Sequence, residues 1–543
     1  MNDVLKVRTF FVFFAFTIFY LVIIINLYLI QVFHNDYYAQ LAYNQHNITV
    51  TISPDRALIL DRNKNPISLN KESLSAFILP HKIENIKELK VFLKKHFPNA
   101  LSRFEHANNK FFMYIKRKLN KEEIDIITKS NLIDIKILKE PSRFYPFSFL
   151  GTILGITDID NNGLFGIEKE FNKQLSGSPT TFILDKDARS GHFYFKRKIS
   201  ISGKDSNSIT LTIDKDLQFL AYQELKEAIK KFQALEGGVI ILNPQNGQII
   251  SMASLPDFDP NNTKKIDLEL TKNKVITNAY EFGSVMKVFV AIAALEEGLV
   301  TQDELIDCEN TKEVKIDGMK FTTWAPHGVL PFTEVIEKSN NVGMVKIAKK
   351  VGEKLYDHYL KFGFTSKINI QLGGEQKGFI NTPKKWSKRS IISLAFGYEI
   401  SATLLQLAKA FAIIANDGFD VMPTLILTND ANKQKKQLYS QATINMIKKI
   451  LQNTVAKGTA KNAQINGYTV MGKTGTANIA IDGKYSKTKN MYTFVGIIEK
   501  NNYRRVIAVY IKESPQKDLF ASTVAAPLFE KIAEKMLIHD KII

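Results

Sequence analysis

The sequence predicts a multidomain α+β protein held to a membrane by one helix. Three observations carry this prediction. Residues 10–33 form an apolar run without a single charge. Residues 34–205 mix short strand-like and helix-like stretches. From residue 206 onward, an amphipathic pattern is followed by a strand–turn–strand pattern and, later, by two further β-prone runs. The 543 residues suffice for two or three domains with their own cores, and a hydrophobic content of 45% is that of a globular chain.

The run FFVFFAFTIFYLVIIINLYLIQVF has 24 residues, more than the roughly 20 that cross a bilayer. A cleavable signal peptide has a shorter apolar core and a small-x-small site, but Asn26, Tyr28 and Gln31 stand where small residues would be needed. A buried helix of a soluble protein is seldom apolar on every face over such a length. Residues 9–33 therefore read as an uncleaved transmembrane anchor. Residues 1–8, with Lys6 and Arg8, read as a short cytoplasmic tail under the positive-inside tendency, which places everything from about His34 outside.

The formal charge of +19 does not argue for nucleic acid, because the lysines are spread along the whole chain among Asn, Ile and Phe and no nucleic-acid-binding signature interrupts them. The lone Cys308 has no disulfide partner and no companions for a metal site, so it reads as a small hydrophobe.

Within the C-terminal part, SITLTIDKDLQFLAYQELKEAIKKF (208–232) reads as a strand and then an amphipathic helix, with the domain boundary just before it at Gly203-Lys204-Asp205. Gly237 to Met252 reads as strand–turn–strand about Pro244-Gln245-Asn246-Gly247. Tyr492–Ile498 and Arg505–Ile511 read as two more strands.

The stretch INGYTVMGKTGTANIA (465–480) satisfies two patterns at once. Gly467 with Gly472-Lys473-Thr474 fits a phosphate-binding loop, and Lys473-Thr474-Gly475 fits the K-T-G of penicillin-interacting serine enzymes. A phosphate loop must be small and flexible and must open into a helix. Here Tyr468-Thr469-Val470-Met471 is β-prone, and the residues after Thr476 run into a turn at Asp482-Gly483 without helical periodicity. Nucleoside triphosphates are also scarce outside the membrane. The motif reads as a lysine on a strand.

Serine–lysine chemistry needs S-x-x-K at a helix start, where a spacing of three puts amine and hydroxyl on one face. The pattern occurs at Ser68–Lys71, Ser284–Lys287, Ser486–Lys489 and Ser514–Lys517. Only EFGSVMKVFVAIAALEEGLV opens a long apolar helix, with Gly298 as its stop; the other three read as exposed turns. Taken alone, Ser284 could be an N-cap beside a surface lysine. Ser339-Asn340-Asn341 supplies an S-x-N before an amphipathic helix, and taken alone is equally a helix cap. It is the order Ser284, Ser339, Lys473 that joins them. No G-x-S-x-G elbow is present to suggest an α/β-hydrolase.

With these motifs the chain resembles the class B penicillin-binding proteins, the membrane-anchored D,D-transpeptidases of bacterial cell-wall synthesis. The resemblance extends to NPQNGQIISMASLPDFDPN (243–261), LAFGYEISATLLQLAKAFAIIANDG (394–418), DRALILDRNKNPI (55–67), SRFYPF (142–147) and GLFGIEKEFNKQLSG (163–177). Phe282 stands where that family usually has proline, Asn340 where it often has serine, and Ala57 and Lys64 where it often has glycine. The resemblance implies a non-catalytic, dimerisation-type pedestal at 34–205. It implies a transpeptidase domain at 206–543 with the serine β-lactamase-like fold, a five-stranded antiparallel sheet flanked by helices.

It also implies roles. Ser284 would attack the D-Ala–D-Ala bond of a stem peptide. Lys287 would be the base, its pKa depressed by burial and by Lys473. Ser339 would relay a proton to the leaving amine, and Asn341 would bind the substrate amide. The strand Lys473-Thr474-Gly475-Thr476 would bind substrate, with Lys473, Thr474 and Thr476 on its carboxylate. The backbone N–H groups of Ser284 and Thr476 would form the oxyanion hole. No metal or cofactor is called for. The expected ligands are stem peptides and β-lactam antibiotics; the expected partners are a polytopic SEDS-type glycan polymerase and other divisome membrane proteins, with Asn26 and Gln31 as contact points in the anchor.

The alternatives at this point are a β-lactamase, a D,D-carboxypeptidase, a penicillin-sensing receptor or an elongation-type transpeptidase. Tyr280-Glu281-x-Gly283-Ser284 resembles the division-type enzymes. So does the link of only 19 residues between Tyr145-Pro146 and Gly166-Ile167-Glu168, where elongation-type chains tend to carry a longer segment. The division type, at the septum of the plasma (inner) membrane, is the expectation.

Overall fold

The computed structural model describes residues 2–106, 112–186, 193–263, 266–323, 325–428, 436–481 and 483–542. The chain forms two compact units, one of residues 1–56 with 176–207 and the other of residues 57–175 with 208–543.

In the first unit, an α-helix from Asn2 to Tyr28 continues through a wider π-type turn at Leu29–Phe33. The stretch Asp3–Phe33 is long and apolar enough to cross a membrane, and none of it is buried against protein. A helix Asn35–His46 follows, and the strands Asn47–Ile52, Thr180–Lys186 and Phe193–Ile201 form an antiparallel sheet with Thr180–Lys186 in the centre.

The second unit begins with a three-stranded sheet of Leu69–Ile78, Met113–Lys116 and Lys136–Phe144, covered by helices whose Leu89, Leu93, Phe104 and Ile127 share a core with Ile115. Behind it Arg143 and Glu168 form an ion pair of 2.7 Å, with side chains 1% and 0% exposed. Ile59–Leu60 pairs in parallel with Ile209–Thr210. That pairing ties residues 57–175 to the remainder of the unit. It also leaves the strand expected from residue 208 only two residues long, because Leu211 already bridges to Ile426.

The centre of the unit is the five-stranded antiparallel sheet that the family resemblance implies. Helix α1 (Lys215–Phe232) starts at Asp214, whose carboxylate accepts from Asp216 N and Leu217 N. Strands β1 (Glu236–Leu242) and β2 (Ile249–Leu255) form the expected hairpin. Helix α2 (Lys287–Glu296), α3 (Asn341–Val351), α4 (Leu404–Ala415) and α5 (Gln441–Ala456) follow. Strands β3 (Thr469–Ile481), β4 (Lys484–Lys500) and β5 (Tyr503–Lys512) and helix α6 (Ala521–His539) end the chain. The sheet order is β2-β1-β5-β4-β3.

β1 and β2 are buried at every position, which is why EGGVIIL and IISMASL read as apolar runs without alternation. Val239 and Ile241 pack towards α1 and α6, with Leu225 and Phe529. Ile240 and Leu242 face the other layer, with Val288 of α2 and Phe411 of α4. Every residue of α4 is buried, and Thr403 with Gln406 closes its start as a capping box. Each large side chain so enclosed contributes about 2 kcal/mol of burial. Cys308 is wholly buried, and a Cβ on Gly343 of α3 would lie 3.0 Å from its Sγ, so it packs as the expected hydrophobe.

The three spare S-x-x-K matches are not the exposed turns expected of them. Ser68 is 0% exposed and its Oγ accepts from Ile59 N at 2.9 Å, while Ser514, 5% exposed, donates to Phe232 O at 2.6 Å. Ser486 and Lys489 lie on β4. In the first two, a small hydroxyl satisfies a buried backbone group that lacks a ladder partner.

Candidate active site

Ser284 sits in a 3₁₀ turn, Gly283–Met286, that runs directly into α2. Gly283 has φ +57°, and a Cβ there would lie 3.0 Å from Thr476 O. Gly397, at φ +85°, comes closer still, since its Cβ would lie 2.2 Å from Gly283 O. The turn therefore meets both β3 and the 396–398 segment backbone to backbone, a fit that only glycine allows. Ser284 is half-buried, and among the described residues its hydroxyl makes no hydrogen bond.

Lys287, one turn on, is 0% exposed because α2 runs through the core. It does not reach Ser284 as its spacing suggests. Its Nζ donates instead to Ser339 O at 2.8 Å, Ser339 Oγ at 3.2 Å and Asn341 Oδ1 at 2.6 Å. An ammonium has three protons and no lone pair, and these three oxygens take all three protons. Only the neutral amine, with its lone pair regained, can accept a proton from a hydroxyl.

Ser339 lies in the turn before α3 with φ +53° and is 8% exposed. It is not the helix cap. Asn340 takes that place, accepting from Gly343 N at 2.9 Å, a place that asparagine and serine fill equally well. Asn341 is held by Nδ2 donating to Thr322 O at 2.8 Å, which turns its Oδ1 to Lys287.

Lys473 rises from β3, also 0% exposed, and donates to Ser339 Oγ at 3.0 Å and Thr474 O at 3.2 Å. Ser339 Oγ thus accepts from two ammonium groups, and its own proton remains free to donate outward. Burial pushes the Lys287 pKa well below the usual lysine range, and the charge of Lys473 adds to this. Burial alone brings Lys473 down to about 7. Both shifts favour loss of a proton from this buried pair.

Gly475 offers no side chain. A Cβ there would lie 2.3 Å from Phe282 O and 2.7 Å from Val285 Cγ2, so its contribution is to let β3 press against the serine turn. β3 is the edge strand. Its Thr476 carbonyl faces Gly283, and since N–H and C=O of one strand residue point the same way, the Thr476 N–H faces the turn too. Ser284, second in its turn, has an N–H without an intrahelical partner. The Thr476 hydroxyl accepts from Ala521 N at 3.1 Å, and that of Thr474 lies 3.2 Å from Thr459 Oγ1.

Sequence reasoning missed Thr459, Thr322 and the rim residue Glu281 as members of the site. Glu281 accepts from Glu399 N at 2.8 Å and from Tyr485 OH at 3.0 Å, and burial raises its pKa. No spacing rule links these positions to the motifs. Only Glu281, three residues before Ser284, was near enough to be found.

A family model described as the penicillin binding protein transpeptidase domain matches residues 237–534, and one described as the penicillin-binding protein dimerisation domain matches residues 51–211. The chain is 31% identical over 485 residues to the probable peptidoglycan D,D-transpeptidase PbpC of Pseudomonas aeruginosa, covering 88% of this chain and 85% of that one. It is 32% identical over 500 residues to the peptidoglycan D,D-transpeptidase FtsI of Buchnera aphidicola from Schizaphis graminum, covering 90% and 87%. Its fold is similar to that of penicillin binding protein 3 of Mycobacterium tuberculosis in complex with aztreonam, with a TM-score of 0.69, 24% identity, and coverage of 91% of this chain and 98% of that one.

Proposed function

This chain belongs to the class B penicillin-binding proteins, the peptidoglycan D,D-transpeptidases, and on that premise we propose how its residues divide the reaction. Ser284 Oγ attacks the carbonyl carbon of the penultimate D-Ala of a stem peptide, and its proton passes to the Lys287 amine one helical turn away once that amine is neutral and turns from one of its three oxygen partners. The N–H groups of Ser284 and Thr476 take the charge that develops on the carbonyl oxygen. As the peptide bond breaks, Ser339 gives its proton to the departing D-Ala amine and is reprotonated from Lys287. An amine of a second stem peptide then attacks the Ser284 ester, the proton transfers run in reverse, and the cross-link leaves.

Asn341 holds the substrate amide, while Lys473, Thr474 and Thr476 hold the terminal carboxylate and Gly475 keeps their strand against the serine. The observation that carries this reading is the double donation of two buried lysines onto the Ser339 hydroxyl, with burial pushing Lys287 towards its neutral form.

Residues 206–543 would carry the reaction, with 34–205 as the pedestal, 9–33 as the anchor and 1–8 in the cytoplasm. We place the enzyme at the division septum because of Tyr280-Glu281-x-Gly283-Ser284 and the short link before Gly166, with a polytopic glycan polymerase and other divisome proteins as partners. The experiment is mass spectrometry after incubation with penicillin and then with a cross-linkable peptide pair. A lasting adduct on Ser284 together with dimeric product is expected. Rapid turnover of the adduct would indicate a β-lactamase, release of the acyl group to water alone a carboxypeptidase, and absence of any adduct a scaffold.

A further inference from the structure

Phe379–Ile380 pairs with Ile400–Ser401, so residues 381–399 are one excursion with both ends fixed. Its outgoing limb carries Lys384, Lys385, Lys388 and Arg389, all exposed, with exposed Lys377 just before it. Residues 376–398 contain no Asp or Glu. Among the described residues none of these five cations forms an ion pair. On neighbouring elements of the same unit, by contrast, Lys338, Lys349, Lys350 and Lys354 meet Glu334, Asp317, Glu304 and Glu297. Four of these cations fall within the six residues 384–389, with no acidic side chain between them to offset their charge.

The limb has a fixed base. Trp386 packs half-buried against the core and donates from Nε1 to Asn381 O at 2.7 Å. Ser390 Oγ accepts from Ser387 N at 3.0 Å. The returning limb, a helix of Ser390–Ala395 and then Phe396-Gly397-Tyr398, ends against the serine turn, where Gly397 meets Gly283 O. One excursion therefore presents an uncompensated cationic surface at one end and part of the wall of the reactive site at the other. A cluster of like charges held together repels itself unless an anion lies across it.

We infer that Lys384, Lys385, Lys388 and Arg389 form a docking surface for the carboxylate-rich peptides of polymeric cell wall, retaining an acceptor strand beside Ser284. Cell wall as the polymer rests on the transpeptidase reading; the anion-binding surface itself does not.

The test uses the full chain in detergent and the variant Lys384→Gln, Lys385→Gln, Lys388→Gln, Arg389→Gln. Cosedimentation with purified cell-wall sacculi is measured at low and high salt. The unmodified protein is expected to bind less as salt rises. The variant is expected to bind about sixteenfold more weakly, four exposed contacts of about twofold each, with a flatter salt dependence. Sacculi whose carboxylates are amidated should hold the unmodified protein only as weakly as native sacculi hold the variant. Penicillin acylation should be equal in both proteins, and failure of the unmodified protein to acylate would count against the proposed function, not against this surface. If the quadruple variant is not acylated, the two double variants, each expected to bind about fourfold more weakly, take its place. Unchanged binding to sacculi overturns the inference. So does a loss of binding confined to phosphatidylglycerol vesicles, which would assign the surface to a membrane.

Discussion

Lys287 and Lys473 donate to the same oxygen, Ser339 Oγ, at 3.2 and 3.0 Å, in a site where both lysines are 0% exposed. Two buried cations sharing one acceptor are costly for the fold. The cost is reduced by loss of a proton: burial, with the neighbouring charge of Lys473, pushes Lys287 well below the usual lysine range, and burial brings Lys473 down to about 7.

Replacement of Ser284 by alanine should abolish covalent penicillin labelling while costing less than about 1 kcal/mol of stability, because its half-buried hydroxyl holds no partner. Intact-mass measurement and thermal melts together check this. Labelling that persists in the variant would remove Ser284 from its role.

The rate of acylation by penicillin should rise with pH as Lys287 becomes neutral, and should fall above about pH 7 as Lys473 loses the charge that holds the carboxylate. A second-order rate profile between pH 5 and 9 decides it. A profile that keeps rising above pH 8 would show that Lys473 does not act as a cation.

Lys473→Met should slow acylation by about a hundredfold through lost positioning of the carboxylate. Its effect on stability should have the opposite sign. Folding lowers the pKa of Lys473 from the ordinary lysine range to about 7, so between these values the unfolded chain binds more protons than the native one. The Lys473 contribution to stability therefore rises with pH through that window and is constant below it. Urea midpoints of the variant should accordingly lack this part of the pH slope, and the variant should be no less stable at pH 6.

Gly475→Ala should cost about 2–3 kcal/mol and nearly all acylation, since the new Cβ would lie 2.3 Å from Phe282 O and force β3 away from the serine turn. Retained acylation with unchanged stability would show that the turn gives way easily.

Depletion of the protein in its host should produce long, undivided cells if the division-type reading holds. Rounded cells that still divide would identify an elongation enzyme.

Several elements could be read locally because a short-range pattern causes them. The long N-terminal helix follows from uninterrupted apolarity, α1 from its 3.6-residue period and the cap at Asp214, and the β1–β2 hairpin from Asn246-Gly247 between two apolar runs. The candidate residues that the fold gathers were legible as well, since S-x-x-K at a helix entry, S-x-N and K-T-G are each set by local geometry. What the sequence could not reveal is the direction in which Lys287 points. Spacing of three puts it on the face of Ser284, but its partners are oxygens of Ser339 and Asn341, more than fifty residues away. Likewise Ser68 and Ser514 look like surface residues until tertiary packing brings a backbone group to their hydroxyls. The residue types, and with them the chemistry available, were determined by the sequence alone. How readily the two lysines give up a proton, and which hydroxyl keeps one free, was decided by tertiary structure, because both depend on desolvation and on the nearest charges, and these are set by segments that meet only when the chain folds.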